Sequence, residues 1–156
     1  MSSTFPIRFL GALVEDWSLK SFVVFVVCVV LSQFIGALWY SPVFFGDLFI
    51  KLAYPKIKKA DLNKKFAGPA SKITYMIGMI TGAVTVFLIR GCVILLDAKT
   101  IGDGASIGLF LASIDGIFGI VHPLFEARPV QLYFLHLGYH AFAFSVLGAI
   151  ISVTRI

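Results

Sequence analysis

The sequence predicts an all-α membrane protein: four transmembrane helices, with a short interfacial amphipathic helix between the first and second. Three observations carry that reading. The chain of 156 residues is 59% apolar and only 13% charged, whereas soluble domains run at roughly 45–50% apolar and about 25% charged. So short a chain has too little interior to hide that much apolar surface, and lipid must solvate much of it. Four segments reach the roughly 20 mostly apolar residues that a spanning helix needs, and the period-two alternation of a β-barrel is missing. Residues 1–156 read as a single integral membrane domain.

The spans fall at roughly residues 21–40, 72–96, 101–122 and 131–153. The first is the purest, with Val23, Val24, Phe25, Val26, Val27, Val29, Val30 and Leu31 in close succession. The third is the least regular, because Gly104, Gly108, Gly116, Gly119 and Asp115 interrupt it. No cleavable signal pattern is expected: the first apolar run starts after Lys20, is long enough to span, and has no small-residue cleavage site behind it. In the basic loop, residues 41–71, Phe45, Leu48, Phe49 and Leu52 recur at helical spacing after Pro42, beside a lysine cluster. That pattern predicts a helix lying in the membrane interface, with Lys56, Lys58, Lys59, Lys64 and Lys65 toward anionic lipid head groups. Trp39 and Tyr40, at the end of span one, are amphipathic rings suited to the same interface.

Lys and Arg counts in short loops set the orientation. The loop after span one holds Lys51, Lys56, Lys58, Lys59, Lys64, Lys65 and, at its border, Lys72, and Arg128 follows span three. The other side receives Arg8, Lys20, Lys99 and Arg155, which places both termini outside. Arg90 then stands about 27 Å along span two at 1.5 Å per residue, within reach of the outer surface. Gly78 and Gly82, and separately Gly104, Gly108 and Ala112, make small-residue stripes that let spanning helices approach closely. Cys28 and Cys92 occupy different spans and read as packing residues rather than as a disulfide.

Ionisable groups inside a span cost about 2.5–3.5 kcal/mol each on insertion scales and are rarely left without a partner or purpose. Asp115 lies about 10 Å from the inner end of span three, and His136 and His140 roughly 8 and 13 Å into span four. The three share a layer, and the histidines, four apart, share a helix face. His122, Glu126 and Arg128 fall just beneath it, at the inner mouth. Three readings are open. Asp115 accepts a hydrogen bond from one of the histidines and simply ties two spans together. Alternatively, the trio lines a proton- or ion-accessible cavity. In the third, His136 and His140 with a carboxylate hold a divalent metal; no other cofactor is indicated.

Two stretches carry a family resemblance. Gly36-Ala37-Leu38-Trp39-Tyr40-Ser41-Pro42 with Phe45-Gly46, and Leu124-Phe125-Glu126-Ala127-Arg128-Pro129 with Leu137-Gly138-Tyr139-His140 and Gly148-Ala149-Ile150, resemble the opening and closing signatures of the domain of unknown function 1761 family. The likeness runs from about residue 22 onward. It implies a small polytopic protein of four spans and brings no activity with it. Where that family often has Trp shortly after the Phe-Gly pair, this chain has Phe49.

Function is constrained mainly by exclusion. The net charge of +5 is concentrated in one loop without aromatic-basic interleaving, so no nucleic-acid partner is expected. A serine nucleophile elbow, a phosphate-cradling glycine loop and a paired-cysteine redox motif are absent, so no enzyme is expected. Two expectations remain. One is a homo-oligomeric, ion- or proton-linked transporter or channel-like protein using Asp115, His136 and His140. The other is a non-catalytic accessory subunit of a larger membrane complex. Membrane lipids are the partners common to both, and the membrane is either the plasma membrane or that of an organelle such as the mitochondrion.

Overall fold

The structure, a computed structural model, describes residues 11, 14, 17–57, 61 and 69–154, the side chains of 69–71 excepted. Lys58, Lys59, Lys64 and Lys65 lie outside the described residues, whereas Lys56 is exposed. The elements in chain order are α1 (Leu19–Trp39), α2 (Gly46–Ala53), α3 (Pro69–Leu95), α4 (Ile101–Gly119), α5 (Val121–Phe125) and α6 (Val130–Thr154). Four stretches are long and apolar enough to cross a membrane: Leu19–Trp39, Lys72–Leu95, Ile101–Phe125 and Val130–Thr154. The short helix expected between the first two is α2. Only 22–28% of each apolar window is buried, and rings such as Phe110, Phe118 and Phe134 point outward. A water-soluble fold of this size would hide them.

Local chemistry starts the helices where the sequence places them. Ser18 caps α1, its hydroxyl accepting from the Ser21 amide at 3.1 Å. Thr100 and Asp103 form a capping box on α4: the Asp103 amide donates to Thr100 Oγ1 at 3.1 Å, and the Thr100 amide to Asp103 Oδ2 at 3.0 Å. Such reciprocal bonds satisfy amides that have no intrahelical partner. Ser152, fully buried on α6, donates to the Thr100 carbonyl at 2.8 Å and ties the far end of α6 to the start of α4.

The closest packing is between α4 and α6. A Cβ added to Gly104 would lie 2.1 Å from the Gly148 carbonyl oxygen, and one added to Gly108 would lie 2.1 Å from that of Phe144. Gly148 meets Gly104 just as closely from the other side. Ala112 and Gly116 continue the same buried stripe. Bare backbone against bare backbone is the contact that small residues make available in lipid, where apolar burial supplies no drive between helices. The α1–α3 approach is looser: Gly78 and Gly82 face Gln33, whose amide donates to the Gly78 carbonyl at 3.2 Å.

The bundle is closed at one end and open at the other. Cys28 and Val29 of α1, Val86, Ile89 and Val93 of α3, and Leu147 and Ile151 of α6 make one core cluster toward the α3–α4 turn. Cys28 and Cys92 are free thiols. At the opposite end the first half of α3 is exposed from Ile73 to Ile80 except at Gly78, and the α4–α6 groove stands uncovered there. Arg90 corrects an expectation. Rather than reaching the surface, its side chain is fully buried, and its guanidinium sits 4.6 Å from the centroid of Trp17. Trp17 packs in turn on Phe25 and Phe87, so a ring arriving from just ahead of α1 covers the cation and adds a cation–π contact.

Replacing Gly108 with Leu should therefore weaken the bundle by about 1–3 kcal/mol, the usual cost of overpacking. Thermal unfolding in detergent monitored by helical circular dichroism will show it as a lowered midpoint. An unchanged midpoint would mean that α4 and α6 are not held at this distance.

Candidate functional site

The polar residues singled out in the sequence converge on the open end. Asp115 sits in the last half of α4 and His136 and His140 in the first half of α6, and the antiparallel contact through Gly104, Gly108 and Gly148 brings these halves side by side. The α5 turn and the segment behind it supply His122, Glu126 and Arg128. All six line one cavity of about 360 Å³, walled further by Leu132, Tyr133 and Leu137. The turn itself depends on Ala127 at φ 51°, a left-handed conformation that costs a non-glycine residue roughly 1–2 kcal/mol. It reverses the chain with Glu126 and Arg128 on either side, and their ion pair closes at 2.5 Å.

Two hydrogen bonds orient the imidazoles. His140 Nδ1 lies 2.5 Å from Asp115 Oδ2. An ionised carboxylate only accepts, so in that state Nδ1 carries the hydrogen and Nε2 is left for exchange. Both side chains remain accessible, His140 at 33% and Asp115 at 52%. The His140 ring is stacked nearly parallel on Phe144, 5.3 Å between centroids, which fixes its plane. His136 Nδ1 lies 2.6 Å from Tyr40 Oη. The Tyr40 phenol donates to Nδ1 whenever that nitrogen is bare.

Tyr133 is a site residue that the sequence reading did not supply, and Tyr40, read there as an interface ring, also bonds into the site. Tyr40 is carried into position by a tight turn after α1, in which the Phe45 amide bonds to the Trp39 carbonyl at 3.0 Å and that of Gly46 to Ser41 at 2.8 Å. The turn also seats Phe49 of α2 edge-on to both Tyr40 and His136. Trp39 packs on Phe45, Tyr139 and Phe142. Tyr133 donates to the Gly116 carbonyl at 2.7 Å and braces α6 on α4 beside the cavity. Among the described residues no three His, Cys, Asp or Glu side chains are grouped to hold a metal ion. His136 and His140 instead point their Nδ1 atoms at different partners.

A polytopic membrane protein of four spans, with a half-open polar cavity between the third and fourth, is the class these features define. Residues 23–152 match the family model described as "Protein of unknown function (DUF1761)", and the chain belongs to that family. No curated protein and no solved structure matches it. The two signature stretches pack on each other: Gly36 faces the Tyr139 hydroxyl, Gly138 faces the Trp39 ring, and Tyr40 reaches His136.

A double-mutant cycle of Tyr40→Phe and His136→Phe, read from unfolding in mixed micelles, should give a coupling energy of roughly 0.6 kcal/mol and no more than about 1.7, the range for hydrogen bonds between spanning helices. Strictly additive effects would show that the two side chains do not interact.

Proposed function

We propose that this protein is a small, non-enzymatic, ion- or proton-linked transporter or channel-like protein that acts as a homo-oligomer, with Asp115 and His140 as the responsive pair. The observation that carries the reading is the collection of six ionisable side chains, from two spans and the segment joining them, around one accessible cavity. A pair that served only to tie helices together would gain from being dry and enclosed, since low dielectric strengthens it. This pair is instead open to the cavity. Imidazole titrates near neutral pH, and a carboxylate in contact can trade a proton with it.

The apolar cluster around Cys28, Val86, Ile89, Leu147 and Ile151 blocks the interior of a single chain beyond the cavity. A continuous path therefore runs between copies, along the uncovered α4–α6 groove, which is why the reading includes an oligomer. The exposed apolar faces leave ample surface for both copies and lipid.

Purified full-length protein in proteoliposomes carrying an internal pH dye tests this under an imposed potential or pH gradient. Wild type should carry proton or ion flux above empty vesicles. Asp115→Asn and His140→Ala should each reduce it roughly tenfold or more, equivalent to losing about 1.4 kcal/mol or more at the limiting step. Wild-type flux in both variants, or none in wild type, would overturn the proposal.

A further inference from the structure

The cavity is shaped and charged for more than a proton. Its permanent charges are few. Glu126 and Arg128 neutralise each other at 2.5 Å, which leaves Asp115 as the one lining carboxylate with no Lys or Arg partner among the described residues. Its partner is instead an imidazole, a group whose positive charge can be given up. Beside the histidines His122 and His136, the rest of the wall adds Leu132, Leu137, Pro123 and the ring of Tyr133. The cavity's volume of about 360 Å³ falls within the roughly 300–1,000 Å³ typical of pockets for small organic ligands. One carboxylate beside an aromatic ring and aliphatic carbon is the chemistry that holds a substituted ammonium ion.

We propose that the cavity binds a small organic cation of the amine or quaternary ammonium class, paired with Asp115, in exchange for the proton on His140. This names the substrate class of the transport reading and rests on that reading for its transport consequence. The exchange balances. Protonated His140 against ionised Asp115 is a neutral pair. When the ammonium ion takes the carboxylate, the positively charged imidazole loses its partner and releases one proton to water, so the cavity's net charge is unchanged. The groups that face the pair are His136 from α6, His122 from α5, and Glu126 and Arg128 from the segment between them. Tyr133 braces the same wall, and Tyr40 from the end of α1 faces His136. Of these, His122 and His136 are the other groups able to take up the released proton. The predicted signal is therefore tied to Asp115 by mutation.

The test is calorimetric titration of the full-length protein in mild detergent with tetraethylammonium and with benzyltrimethylammonium. Na⁺ and K⁺ at equal ionic strength serve as controls, and proton release is read in weak buffer. Saturable binding of the organic cations should release about one proton per chain. One-for-one exchange with a proton should weaken the affinity as the pH is lowered. Asp115→Asn should abolish binding, and Asp115→Glu, which keeps the charge, should retain it. Wild-type proton release decides the matter even if Asp115→Asn does not fold. No saturable binding, binding without proton release, or equal binding of Na⁺ would overturn the inference. If binding is absent while Asp115-dependent proton flux persists in proteoliposomes, this inference falls and the transport reading stands. If binding with proton release is found but flux is not, the cavity assignment holds and the transport reading falls.

Discussion

Everything at the open end of this molecule depends on how closely α4 lies against α6. Gly104, Gly108 and Gly148 let two backbones meet with no side chain between them, and a close approach over that length leaves little freedom in register. Register in turn decides which side chains face each other one or two turns further along. Asp115 meets His140 because Gly108, two turns before Asp115, meets Phe144, one turn after His140. Tyr133 bonding to the Gly116 carbonyl extends the same register to the cavity wall. A span interrupted by glycines looks weak as a helix, yet those interruptions supply the contact on which the polar site is built.

The two ends of the bundle divide the work. Toward the α3–α4 turn, aliphatic side chains from three spans fill the interior, and Ser152 and the Thr100–Asp103 box lock the chain reversal. Arg90 belongs to this end, fully buried beneath Trp17. Toward α2 and α5 the first half of α3 is exposed, and polar groups line a cavity between α4 and α6.

Much of this was legible in the sequence, and the exceptions are instructive. Run length and composition predicted the four spans to within a few residues, and the spacing of Phe45, Leu48, Phe49 and Leu52 predicted α2. Simple helical rise put Asp115, His136 and His140 at a common depth, and the structure gathers them around one cavity. The choice between the two histidines was not legible, because residues four apart share a face and only register separates them. Tyr40 was read as an interface ring because Trp-Tyr at the end of a span is the common signature of one. Its bond to His136 spans 96 residues and leaves no local trace. Arg90 was read as reaching the surface for a similar reason: a cation near a helix end usually does so, and the covering Trp17 arrives from a distant part of the chain. The left-handed Ala127 carried no signal either, since glycine is the residue that ordinarily marks such a turn.

The account stands or falls on the contact between Asp115 and His140 being set by the glycine-mediated helix pair. Solid-state NMR of ¹⁵N-histidine-labelled protein in lipid bilayers observes that contact directly. A strongly hydrogen-bonded Nδ1–H should be present for His140, and it should disappear both in Asp115→Asn and in Gly108→Leu, where the carboxylate is retained but the helices are forced apart. A His140 spectrum unchanged by either substitution would contradict the account.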